Sequence, residues 1–339
     1  MITVNKRTLP ALYEKLSKSY ALYLPIERSG EVTFSRYTAD SDVSLGTLKT
    51  ARSPKELFFP QTENLMKFRT AGKNIEIEDE RQESEPFVVF GIRACDQKAL
   101  EVLDNVFLSD PVDSYYQARR EKGVIVTLSC TRPEESCFCT AFGIDPALPT
   151  GDVSAWEDGE NMYFQANTEK GERLLSLFGG ERGGEEKVEK AQTELKEILK
   201  KLPFAALDLS RFKPENLNEL FNSEKWEELS EACLGCGACT FVCPTCQCFD
   251  IRDFKTGDGV IRLRCWDSCM YSDFTLMAHG NSRTTQMQRY RQRFMHKLVY
   301  YPSQYGGTYS CVGCGRCVNK CPQNLNIVKV VKAMQGEQK

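Results

Sequence analysis

Histidine is almost missing from this chain: His279 and His296 are the two among 339 residues. That scarcity argues against a multi-histidine zinc or non-haem iron enzyme, which takes its ligands from imidazole. An excess of charge of one sign is lacking too. Forty-four Lys and Arg against 47 Asp and Glu leave a net charge of −3, too little to attract nucleic acid or an anionic lipid surface. No run approaches the roughly 18 consecutive apolar residues of a membrane helix, so no membrane insertion is expected. The opening MITVNKRTLPALYEKL has no apolar core of a secretory signal, and a cytoplasmic location is expected. G-x-x-x-x-G-K-[ST], G-x-G-x-x-G after a strand, H-E-x-x-H and G-x-S-x-G are all missing. The chain therefore offers no nucleotide, hydride-transfer or hydrolytic site of its own, and no residue is assigned a catalytic role.

What is abundant is cysteine, 16 in all. In a reducing compartment so many thiols read as metal ligands rather than disulfides. Cys233-Leu-Gly-Cys236-Gly-Ala-Cys239-Thr-Phe-Val-Cys243-Pro recurs as Cys311-Val-Gly-Cys314-Gly-Arg-Cys317-Val-Asn-Lys-Cys321-Pro. Both are the C-x2-C-x2-C-x3-C-P run of bacterial [4Fe–4S] proteins, in which the fourth cysteine of each run serves the other cluster. By that crossing, Cys233, Cys236, Cys239 and Cys321 hold one cluster, and Cys311, Cys314, Cys317 and Cys243 a second. Zinc modules usually offer two well-separated pairs instead. No C-x-x-C-H run supports covalent haem.

A second neighbourhood holds Cys95, Cys130, Cys137 and Cys139. Phe87–Ile92 and Val124–Leu128 read as buried strands. Between them lie a helix whose Ala99, Leu100, Leu103, Val106 and Phe107 share a face, with Asp96 as its expected cap, and the helix DSYYQARREKG. If the two strands are parallel neighbours, Cys95 and Cys130 lie just beyond their carboxyl ends, where open α/β sheets bind ligands. Spacing alone leaves two readings, a third cluster or one or two buried thiols. Four glycines between 179 and 184 mark a boundary, followed by a helix with Val188, Ala191, Leu195, Ile198 and Leu202 on one face and Pro203 at its end. The expected organisation is an α/β domain over 1–180, a helical linker over 181–227, and an α-helical two-cluster ferredoxin-like domain over 228–339. A long insertion, 244–310, separates its two motifs.

That insertion holds the remaining cysteines, Cys246, Cys248, Cys265 and Cys269. They are candidates for a fourth cluster, for a substitute ligand with Cys246 first in line, or for unligated thiols beside a cluster. It also holds a helix with Met287, Tyr290, Phe294 and Leu298 on one face and Arg289, Arg293 and Lys297 on an adjacent one. The plainest expectation is a solvated basic side. The alternatives are docking of an acidic partner and compensation of thiolate charge. Neither histidine has a visible partner.

GIRACDQKALEVLDNVFL, DSYYQARREKGVIVTLSC, CFCTAFG, CLGCGACTFVCPTCQCFD, WDSCM and CVGCGRCVNKCP follow one another in this chain. In that order they resemble the iron–sulfur beta subunits of cytosolic [NiFe] hydrogenases (sulfhydrogenases) and the corresponding iron–sulfur subunits of anaerobic sulfite reductases. The resemblance implies an electron-transfer subunit of a multi-subunit oxidoreductase complex. One implied partner is a flavoprotein that handles NAD(P)H, and the other a terminal hydrogenase or reductase subunit. It also implies that Cys95, Cys130, Cys137 and Cys139 bind a third [4Fe–4S] cluster. Cys246, Cys248 and Cys269 match segments of that family, whereas Cys265 has no standard position in it. A function of another class, sulfur or disulfide chemistry at an open-site cluster or at Cys246 and Cys248, is kept beside it.

Overall fold

A computed structural model describes residues 1–79 and 85–335, so the last four residues of the expected third segment lie outside it. The strands are β1 (Ile2–Asn5), β2 (Ala21–Arg28), β3 (Glu31–Arg36), β4 (Thr62–Ala71), β5 (Asn74–Asp79) and β6 (Phe87–Ile92). They continue with β7 (Gly123–Leu128), β8 (Val153–Glu157), β9 (Asn161–Ala166), β10 (Glu181–Arg182), β11 (Phe249–Thr256), β12 (Gly259–Trp266) and a separate short pair, β13 (Leu276–Met277) and β14 (Gly280–Asn281). Eight of them form one sheet in the order β10-β1-β9-β8-β7-β6-β2-β3. Its centre is parallel, β2 with β6, β6 with β7 and β7 with β8, and its two flanks are antiparallel. Every residue of β6 and β7 is buried, as expected of strands covered on both faces, and this is why both read as unbroken apolar runs.

The expected β-α-β unit is present. Helix Ala94–Phe107 follows β6, and helix Ser114–Lys122 leads into β7. Asp113 caps the second helix through the amides of Tyr115 and Tyr116. Asp96 does not cap the first, whose N-cap is Arg93 with no side-chain bond. It is buried in the first turn and is occupied instead by Arg316, over two hundred residues away.

The second sheet, β11-β12-β4-β5, is antiparallel throughout. Here a hairpin from the insertion adds to a hairpin from the first hundred residues, so one sheet spans the division expected near 180–228. Arg264 of β12, buried, binds Glu63 of β4 and Asp113 at the helix cap, and Arg119 reaches the same Glu63 at 2.7 Å. The guanidinium also lies over the rings of Phe59, Phe107 and Phe249. This network locks the second sheet to the helices of the first.

The expected linker helix is Glu185–Leu199. Val188, Leu195 and Leu199 are its buried positions, while Ile198 is 40% exposed, so the inward stripe passes through Leu199 in place of Ile198. Leu195 and Leu199 pack with Ala147 against Cys130. The C-terminal core gathers Phe212, Leu220, Trp226, Tyr290, Phe294, Leu298, Val330 and Val331. Among the described residues no helix is long and apolar enough to cross a membrane.

Candidate metal centre

The two cysteine motifs form matched turns. Gly237 and Gly315 stand at φ +73° and +77°, in the left-handed region that favours glycine, each immediately before a short helix. One small cavity brings the two motifs together: Cys233, Cys236 and Cys239 of the first and Cys321 of the second line it, with Met270, Tyr290 and Arg293 around them. Two of these sulfurs accept hydrogen bonds, Cys321 Sγ from the amide of Leu325 at 3.2 Å and Cys233 Sγ from the amide side chain of Gln286 at 3.4 Å. The reciprocal set is drawn together as well. Cys311 is within electrostatic reach of Cys317 and Cys243, and Cys314 of Cys243 and Cys317.

The four N-terminal cysteines also converge. Cys95 sits in the first turn after β6 and Cys130 two residues beyond β7, at neighbouring parallel strand ends. Arg93, buried, fixes that edge by donating to the carbonyls of Ser129 (2.8 Å) and Leu45 (2.5 Å). Cys137 and Cys139 come back to it from the loop: Cys139 is within reach of Cys130 and Cys137, and Cys95 of Cys139. Burial pushes the Cys130 thiol up to about 11 against the pull of Arg93, and raises Cys95 and Cys139 as well. Buried thiols held this close resist ionising until a cation, ordinarily a metal, compensates them.

The two neighbourhoods touch. Cys95, Cys139, Cys314, Val312 and Ile144 pack in one apolar cluster. The amide of Phe138 donates to the carbonyl of Gly313 at 2.9 Å, and a Cβ on Gly313 would lie 2.4 Å from the carbonyl of Phe138. Only glycine lets the second motif lie this close to the Cys137–Cys139 loop. Arg316, inside that motif, reaches Asp96 with two bonds of 2.6 and 2.8 Å and the carbonyl of Thr50 at 3.2 Å. On the other side Cys239 is within reach of Cys317, joining the two crossed sets.

The four cysteines of the insertion divide. Cys246 is within reach of Cys243 and of Cys269, while Cys248 and Cys269 are within reach of each other. Cys265 stands apart on β12 among Arg252, Asp250 and Asp267.

The basic helix face is the clearest departure from the plain sequence expectation. Arg293 and Lys297 are 3% and 4% exposed and Arg289 is half-buried, so the side is not solvated at Arg293 and Lys297. Arg293 faces Cys239, Cys317, Cys246 and Cys243, and its Nε has no hydrogen-bond partner. Lys297 donates to Thr245 Oγ1 at 2.8 Å and the carbonyl of Ser310 at 3.2 Å, close to Cys243, Cys246 and Cys311. Lys55, which nothing in the sequence marked, is buried with its ammonium 2.8 Å from the carbonyl of Cys246 and over the ring of Trp266. Burial lowers it to about 8, against the pull of Cys246 and Cys243. Among the described residues none of these three cations has a carboxylate in ion-pair contact, so the negative charge that balances them belongs to the thiols and what they bind. No three His, Cys, Asp or Glu side chains among the described residues close on a single metal ion. A cubane, with its larger core, holds its thiolates farther apart and suits this donor set. His296 is pressed down to about 4 by burial, Lys297 and Arg283, which keeps it neutral, and His279 is exposed.

Comparison with known proteins agrees with this geometry. The 4Fe-4S dicluster domain family matches residues 232–325. Over 342 residues the chain is 31% identical to sulfhydrogenase 2 subunit beta of Pyrococcus furiosus, covering 97% of each chain. No solved structure matches the chain.

Proposed function

Because the chain belongs to the sulfhydrogenase beta-subunit family, we propose that it is the electron-transfer subunit of a cytoplasmic oxidoreductase complex, standing between a flavoprotein that handles NAD(P)H and a terminal hydrogenase or reductase subunit. In this reading Cys233, Cys236, Cys239 and Cys321 hold one [4Fe–4S] cluster, and Cys311, Cys314, Cys317 and Cys243 the next. Cys95, Cys130, Cys137 and Cys139 hold a third. What these groups supply when bound is one-electron transfer. The chain's own residues fix their order, keep water from them and balance their charge. The observation that carries the proposal is the contiguity of the three thiol sets, the first meeting the second at Cys239 and Cys317 and the second meeting the third at Cys314, Cys95 and Cys139.

One end of this line reaches the surface. Cys236 is exposed, and Leu234 and Leu276, each more than 60% exposed, line a surface hollow beside the first motif and Tyr271. Iron analysis of the anaerobically purified chain, free of partner subunits, tests the count, with about twelve irons per chain expected at four to a cluster. Cys137→Ser should remove about four and leave the other two sets loaded. About eight irons in the unaltered chain would refute the third cluster, and four or fewer the whole assignment.

A further inference from the structure

Twelve cysteines are accounted for above, and Cys265 lies alone, which leaves Cys246, Cys248 and Cys269. We propose that Cys248 and Cys269 form a dithiol–disulfide couple, a two-electron site set beside the one-electron relay. The β11–β12 hairpin makes the pair. Its last register partners are Phe249 and Trp266, and the amide of Asp267 donates to the carbonyl of Cys248 at 2.9 Å, so the open end of the ribbon presents residues 248 and 269 side by side. Their thiols lie within interaction range of each other, and both residues are only partly covered, which leaves protons a way out to water. Cys246 stands between this pair and the relay, within reach of both Cys243 and Cys269.

Oxidation breaks two S–H bonds, forms one S–S bond and releases two protons and two electrons. The protons leave to solvent. The electrons pass singly to the adjacent relay, whose oxidised state is the acceptor; only this destination rests on the function proposed above. The surrounding charge sets the direction. Lys297 acts on both thiols, and Arg293 acts on Cys269. These cations favour the reduced form over a neutral disulfide and make the closed bond a readily reduced one, so the resting direction is the reverse of this step: two electrons return singly from the reduced relay, two protons enter from solvent, the S–S bond breaks and two S–H bonds form.

The test uses the whole complex, prepared anaerobically and poised either fully reduced or oxidised with a one-electron dye. Each sample is denatured in alkylating reagent and digested for mass spectrometry, with iron measured on the same material. A Cys248–Cys269 linked peptide is expected in the oxidised sample and two alkylated cysteines in the reduced one. In Cys269→Ser, Cys248 should be alkylated in both, with iron unchanged. Three results would overturn the proposal: both thiols alkylated in both states, a linkage found only where iron has been lost, or a loss of about four irons in Cys269→Ser, which would make the residue a cluster ligand. A linked peptide in a chain carrying only about eight irons would support the couple and refute the third cluster separately.

Discussion

Asp96 and Arg316 join the first turn after β6 to the heart of the second cysteine motif, and their replacement gives a sharp measure of how far the two halves depend on each other. Both side chains are almost fully buried, at 2% and 3% exposure, and the contact is bidentate at 2.6 and 2.8 Å. Asp96→Ala leaves a guanidinium in the interior with Thr50 as its remaining hydrogen-bond partner and Cys95 and Cys314 acting on it at longer range. Stranding one member of a buried pair costs about 3–5 kcal/mol. At this chain length, at about 2 °C per kcal/mol, the unfolding midpoint should fall by roughly 6–10 °C. Thermal unfolding of anaerobic, cluster-loaded protein at one fixed scan rate provides the reading, since such proteins unfold irreversibly. Arg316→Met should cost a similar amount. The double variant Asp96→Leu/Arg316→Met, which buries no charge at the site, should lie above either single one. A drop under about 2 °C for Asp96→Ala, typical of an exposed pair, would show that the contact does not join the halves. A double variant as unstable as the sum of the singles would do the same.

Two further outcomes follow from the same architecture. Gly313→Ala places a Cβ 2.4 Å from the carbonyl of Phe138 at a backbone φ of +59°. It should lower bound iron at both the second motif and the N-terminal set, whereas Gly46→Ala, with nothing within 4 Å, should not; full iron in Gly313→Ala would contradict the close approach. His296 is held at about 4 by burial, Lys297 and Arg283, against about 6.5 unfolded. The unfolded chain therefore binds the extra proton between these values, and stability falls as pH drops from 6.5 toward 4. His296→Gln should flatten that limb of a plot of unfolding midpoint against pH, and an unchanged slope would mean that His296 is not buried neutral.

The parts of the molecule that could be read in the sequence are those fixed by local pattern. Phe87–Ile92 and Val124–Leu128 are apolar enough to be strands under any packing, and the x2 spacing marks the two motifs, whose Cys233, Cys236, Cys239 and Cys321 line one cavity. What could not be read depends on contacts between distant residues. Asp96 looks like a cap until Arg316 arrives from another part of the chain. Lys55 follows a short Ser-Pro turn with no unusual neighbour in sequence, and only the fold brings it to Cys246. Arg293 and Lys297 lie on a stripe adjacent to the apolar face, which from periodicity alone is expected to be solvated. Cys248 and Cys269 are 21 residues apart, and the hairpin between them is what makes them neighbours.

The distribution of buried charge also bears on how the chain folds. Each thiol set is matched by at least one cation: Arg93 and Lys49 act on Cys130, Arg316 on Cys95 and Cys314, and, from one helix, Arg293 on Cys239 and Lys297 on Cys243 and Cys311. Arg316 has a carboxylate of its own, but Arg293 and Lys297 have none among the described residues. An isolated buried cation costs several kcal/mol, and two together approach the whole stability of an ordinary domain, about 5–15 kcal/mol. The C-terminal core, in which both residues lie, therefore needs the negative charge of ligated thiols to keep this packing. Binding of the clusters and closure of that core then become one event. The Gly313–Phe138 contact and the Asp96–Arg316 pair carry the same dependence into the N-terminal sheet, so loading of the dicluster motifs also orders the edge on which Cys95, Cys130, Cys137 and Cys139 meet.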